Sequence, residues 1–177
     1  MLTGERFAQQ AQADRYTGLK YNQFDCQAYV ELVLRDCGVR KPDGSIYNWK
    51  GSNDMWRNAL KWKGTISECM HKYGNIPAGA WVFMVAHDGG EVKRGYHDNE
   101  GNASHVGIYC RPGNAKAVRD STKGTGRDGV GYRPLTDFTH IGLPFVISYG
   151  EEPAPVIDKT EALKALKTLN DFIANIK

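Results

Sequence analysis

The sequence predicts an α+β fold with an antiparallel sheet, and three observations carry that expectation. Segments with apolar residues at helical spacing fill the first part of the chain. The continuous apolar run Trp81-Val-Phe-Met-Val85 then changes the period to that of a strand buried on both faces. Beyond it, short strand-like runs alternate with turn residues such as Arg111-Pro-Gly-Asn114.

Taken in order, Thr3 is placed to cap a helix over 4–14, with Phe7, Ala8 and Ala11 on one face. A link from Tyr16 to Gln23 leads to Asp25, a good N-cap. The run from Cys26 to Cys37 follows, with Val30, Val33 and Leu34 at helical spacing and Gly38 as its stop. Residues 39–51 read as loop. Ser52 caps a short helix reaching Leu60, and Thr65 to Tyr73 forms another; 39–76 is the insert of the domain. The polar stretch from His87 to Ser104 is a long loop, a common place for function. Strands are expected at His105–Cys110, Ala115–Asp120, Gly131–Leu135 and Pro144–Tyr149. The domain thus covers 1–149, and 150–157 is a linker. Residues 158–177 form an amphipathic helix, with Leu163, Leu166, Leu169, Phe172, Ile173 and Ile176 in one stripe. Two readings stay open for it: packing on its own domain, or contact with a partner or a second copy.

Composition narrows the function classes. A chain of 177 residues with 41% hydrophobic and 24% charged residues is an ordinary globular domain rather than a disordered or fibrous one. A net charge of +3 is too even for a nucleic-acid binder. No stretch is apolar enough for a membrane span, and the N-terminus has no apolar signal core, so synthesis in the cytoplasm without a signal peptide is expected. Four cysteines without a C-x-x-C pair suggest free thiols, and neither metal nor cofactor is expected. Gly124-Thr-Gly126-Arg-Asp-Gly129 matches G-x-G-x-x-G, but Val-Gly-Tyr-Arg-Pro cannot open the helix that a dinucleotide site needs. Asp98 to Asn102 lacks the spacing of a calcium loop.

Cys26 is the residue that points to chemistry. A thiol in the first turn of a helix meets the positive end of the dipole and unpaired N–H groups, which favour the thiolate and can hold an oxyanion beside it. A nucleophilic thiol needs a base, and His105 opens a strand, a rigid support that His71, His87, His97 and His140 lack. The third member follows from hairpin register. A two-residue loop at Pro112-Gly113 sets Asp120 directly opposite His105. A turn centred on Gly113-Asn114 sets it diagonally on the same face, and a three-residue loop brings Ser121 opposite instead. Cys110 and Cys37 read as core thiols, with Cys69 undecided. Trp49, Trp56 and Trp62 either line a groove beside the site or pack the insert.

These segments resemble the NlpC/p60-type cell-wall cysteine peptidases. Phe24-Asp-Cys-Gln-Ala-Tyr-Val30 is similar to their nucleophile segment, Pro77-Ala-Gly-Ala-Trp-Val-Phe83 to a strand of theirs, and His105-Val-Gly-Ile-Tyr109 to their base segment. Val118-Arg-Asp-Ser-Thr122 corresponds to the strand with the third polar member, and the resemblance spans about residues 3–149. It departs at Gln27-Ala28, where Ser-Gly is usual, at Ala80, and at Asp120, where His is commoner. The resemblance implies a papain-like fold and a thiol endopeptidase that hydrolyses peptidoglycan stem peptides, typically between γ-D-glutamate and a diamino acid. It also implies a tyrosine near the oxyanion site, Tyr21 or alternatively Tyr16. The 39–76 insert and the helical tail resemble prophage-encoded members of Gram-positive bacteria, which implies action at the wall after lysis or from a virion, and an oligomer or phage-component contact through 158–177. A related amidase or acyltransferase, or a catalytically silent tail or lysis module, are the competing readings.

Overall fold

The computed structural model describes residues 1–124, 126–150, 163, 164, 166–168 and 171. Its helices are α1 (Gly4–Ala11), α2 (Cys26–Asp36), α3 (Ser52–Asn58) and α4 (Ile66–Tyr73). Its strands are β1 (Leu60–Thr65), β2 (Trp81–Ala86), β3 (Asn102–Tyr109), β4 (Val118–Gly124), β5 (Arg127–Arg133) and β6 (His140–Pro144). The strands form one antiparallel sheet in the order β1-β6-β2-β3-β4-β5. The α+β expectation with an antiparallel sheet therefore holds.

Local chemistry explains most helix starts. Thr3 Oγ1 accepts from Arg6 N, and Asp25 Oδ1 accepts from Ala28 N at 2.8 Å. Thr65 and Glu68 form a reciprocal capping box for α4. Strand alternation sorts the core into two layers. Trp81, Phe83, Val106 and Ile108 face α1, α2 and α3, packing with Phe7, Tyr29, Val33 and Met55. Val82, Tyr109, Val118, Ile141 and Leu143 face the other way, toward Cys69 of α4 and Phe138.

Several expectations are corrected. α1 ends at Ala11, and a short 3-10 turn follows at Asp14–Tyr16. The start of α3 is not capped by Ser52; Gly51 occupies the N-cap, and Ser52 Oγ is drawn away to donate to Ala103 O. Leu60 leaves the helix to open β1, so 39–76 is no simple insert: β1 is part of the sheet and Met55 and Trp56 are in the core. The last strand lies at 140–144 rather than 144–149, because Ile147 and Tyr149 pack into the core beside α1 instead of pairing in the sheet. β5 begins earlier than expected, at Arg127. Cys37 is only partly buried, whereas Cys69 and Cys110 are buried.

The linker beyond Gly150 lies outside the described residues, as does most of the 158–177 helix. Those of its residues that are described are helical, with Leu163 and Leu166 exposed. Among the described residues no helix is long and apolar enough to cross a membrane.

Candidate active site

The thiol is placed by two local devices. Asp25 fixes the start of α2, so Cys26 takes the first helical position. The preceding loop is stitched to the far hairpin: Val130 N donates to Leu19 O at 3.0 Å, Ser121 Oγ to Phe24 O at 2.5 Å, and Tyr21 N to Asp128 Oδ1 at 3.4 Å. Gly129, the last glycine of the G-x-G-x-x-G match, makes the crossing feasible. Its φ is +116°, and a Cβ there would sit 1.9 Å from Leu19 O. The glycine-rich motif is thus a hairpin with a backbone crossing, as its failed dinucleotide context implied.

On the other side of Cys26, Gln27 accounts for the departure from Ser-Gly. Its amide donates to Trp49 O and to Glu31 Oε1, and Glu31 in turn accepts from Trp49 N at 2.6 Å. The 39–51 loop is thereby held on the first turns of α2.

The base reaches the site from β3. Ser104 is an extra residue in the β2–β3 ladder, between the pairs Met84–His105 and Val85–Ala103. β3 pairs with β4 at Ile108–Arg119 and Tyr109–Val118, the register that sets Asp120 diagonally from His105 on one face. The connection is wider than a tight turn, since the strands stop at Tyr109 and resume at Val118. His105 Nε2 and Asp120 Oδ2 are 2.6 Å apart. With Nε2 committed to the carboxylate, Nδ1 is the ring nitrogen left to face the thiol, and Cys26 lies near enough to His105 to favour its charged form. Phe138 stacks on the imidazole at 6.0 Å between centroids. Cys26 and His105 are buried and Asp120 is wholly inaccessible.

Burial of the ring disfavours the His105 imidazolium, but the Asp120 hydrogen bond and the Cys26 side chain outweigh it and carry its pKa up to about 9. The remaining thiols differ sharply in setting. Burial pushes Cys69 up to about 11 and Cys110 up to about 12, and raises Cys37 as well. Tyr21 lies close enough to sense the site: burial raises its pKa, the negative sides of Cys26 and Asp25 raise it further, and Arg94 opposes them. Tyr16 does not reach the site. Its hydroxyl donates to Asp36 Oδ2 at 2.8 Å, at the opposite end of α2 from Cys26.

Sequence reasoning missed the second layer around the carboxylate. Arg127 Nη2 donates to Asp120 Oδ1, and Arg133 Nη1 stands 3.5 Å from Oδ2. The signal was the β4–β5 register: Asp120 pairs with Gly131, which places Arg127, Gly131 and Arg133 on the face of Asp120. Of the three tryptophans, Trp56 is a core residue against Phe83, and Trp62 packs edge-on to Tyr73 on the second face. Trp49 stacks on Tyr47 beside the start of α2. A hollow of about 760 Å³ lies on the second face between Ile66, Met70, Leu135 and Tyr149, and no member of the Cys26 site lines it. Among the described residues no group of three His, Cys, Asp or Glu side chains is arranged to hold a metal ion.

A thiol beside an imidazole that a buried carboxylate orients can attack a carbonyl carbon and return a proton to the leaving group. No family model, curated protein or solved structure matches the chain.

Proposed function

We propose that this protein is a cysteine peptidase of NlpC type, papain-like in fold, that hydrolyses amide bonds of peptidoglycan stem peptides at Cys26. The observation that carries the reading is the meeting of Cys26, at the start of a capped helix, with the His105–Asp120 pair. The substrate class is supported by the resemblance of the segments around Cys26, Trp81 and His105 to that family.

In this reaction the Cys26 thiolate adds to the amide carbonyl. Backbone N–H groups of the first turn of α2, with the Tyr21 hydroxyl, stabilise the oxyanion. Ala28 N is already taken by Asp25, so the donors are those nearer the sulfur. Collapse of the tetrahedral intermediate breaks the C–N bond, and the His105 imidazolium gives its proton to the departing amine. His105, now neutral, takes a proton from water as the water adds to the thioester. The thiolate then leaves and the carboxyl product is freed. The action is at the cell wall, reached after lysis or from a virion.

Mass spectrometry of muropeptides incubated with the protein tests the reading. The expected products are a fragment ending in γ-D-glutamate and one with a newly free amine on the diamino acid, both lost in Cys26→Ala. Release of the intact stem peptide from the glycan would make the enzyme an amidase. Intact muropeptides together with slow, equal alkylation of all four cysteines by iodoacetamide would overturn the enzyme reading.

A further inference from the structure

Asp120 has no solvent access, and a carboxylate there must have its charge answered inside the protein. The groups around it come from every neighbouring element. His105 reaches it from β3, Arg127 and Arg133 from β5, Asp137 lies behind Arg133, and Cys26 on α2 acts through His105.

The arginines are held in place rather than merely nearby. Arg127 Nη1 donates to Tyr132 O at 3.2 Å while Nη2 binds Asp120. Its side chain folds back along its own strand across Gly131, the residue paired with Asp120. A Cβ at Gly131 would meet Arg127 Nη1 at 2.5 Å and Cδ at 2.7 Å, so this path needs glycine there. Arg133 Nε donates to Asp137 Oδ2 at 2.9 Å, and its guanidinium lies 5.6 Å from the centroid of Phe138, the ring stacked on His105.

We propose that Arg127, backed by Arg133, is a positioning residue that fixes the Asp120 side chain in the rotamer that reaches His105. The inference rests on the reading of Cys26, His105 and Asp120 as the reacting group. The arginines touch neither the sulfur nor the scissile bond; they act through Asp120. Without Arg127 the Asp120 carboxylate is free to turn off the imidazole ring, and the His105 imidazolium loses the hydrogen bond that supports it. The thiolate–imidazolium pair then forms only at higher pH.

The test is the pH profile of Cys26 alkylation by iodoacetamide, which needs no peptidoglycan and so succeeds or fails independently of the substrate assignment. Arg127→Met keeps a long side chain over Gly131 and removes the charge. Its acid limb should move up by about one pH unit, slowing alkylation about tenfold at pH 6 while leaving the rate at pH 9 within twofold of the parent. Arg127→Lys should recover most of the loss at pH 6. In an Asp120→Asn background, Arg127→Met should add nothing. An unchanged profile in a folded Arg127→Met protein overturns the proposal. So does an equal loss at every pH, or an additive loss in the Asp120→Asn background, since either would mean that Arg127 acts by another route. Circular dichroism on each variant separates misfolding from these outcomes, and if Arg127→Met fails to fold, Arg133→Met is read by the same profile with the same criteria.

Discussion

At the scale of single residues, His105 ties the site to pH in two ways. Its folded pKa of about 9 stands above the ordinary 6.5, so the folded state favours the imidazolium. A raised value of this kind contributes stability in full below about pH 6.5, and the contribution disappears as the pH climbs through 9. The melting midpoint should therefore fall between those limits, and Asp120→Asn should flatten the fall because it removes the main group that favours the charge. Catalysis adds a second readout. Protonation of the leaving amine requires the imidazolium, so the proposed hydrolysis should fall along an alkaline limb near pH 9 in the parent. In Asp120→Asn the limb should shift toward lower pH, with the rate down roughly 10² to 10⁴-fold. A pH–rate profile with the same alkaline limb in both proteins would remove Asp120 from its orienting role.

At the scale of elements, the position of Cys26 depends on a hairpin far away in sequence. The 17–25 loop crosses β5 at Gly129, where both a positive φ and the absence of a Cβ are needed. Gly129→Ala should cost about 1–3 kcal/mol and slow Cys26 alkylation, because Leu19 must retreat and the start of α2 is pinned through the same loop. Gly126→Ala is the control: its φ is +77° but nothing lies within 4 Å, so the cost should stay near 1 kcal/mol with alkylation unchanged. Equal losses of stability and equal alkylation rates in the two variants would show that the crossing does not position the thiol. What was legible in the sequence follows the same division between local and distant causes. The start of α2 is legible because Asp25, Ala28 and Gly38 are chemistry within one segment. β1 was hidden because Leu60–Thr65 borders a helix on each side and finds its partner only in β6. Cys26 and His105 can be read from their neighbours, and Asp120 from one hairpin register. Arg127 and Arg133 need a second register and the space over Gly131, which no single segment displays.

At the scale of the whole molecule, the 17–25 loop and the β4–β5 hairpin meet beside Cys26, and the long connection between β2 and β3 lies near Tyr21 of that loop. That connection brings Arg94 near enough to Tyr21 to act on its charge. Arg57 on α3 holds it. The guanidinium side chain is only 7% exposed, donates through Nε and Nη2 to both oxygens of Asp98, and reaches Gly101 O and Asn53 Oδ1 as well. It also lies 4.3 Å from the centroid of the Tyr96 ring. α3 itself is anchored, since Asn53 bonds Asn102 and Ala103 N at the start of β3, the strand that bears His105. One buried cation therefore joins the β2–β3 connection to the start of the strand that bears His105. Arg57→Met keeps the apolar stem and deletes every one of these hydrogen bonds, leaving the Gly101 carbonyl and the Asn53 amide oxygen one donor short. Trypsin should then cut after Lys93 or Arg94 about tenfold faster, which corresponds to roughly 1.4 kcal/mol of easier local opening. Under the proposed function, hydrolysis should keep its kcat within a few-fold, because Cys26, His105 and Asp120 keep their own supports. Unchanged cleavage after Lys93 and Arg94 in the folded variant would mean that the connection is held by other contacts. A large fall in kcat would mean that Arg57 acts on the reacting group through Asn53 and β3.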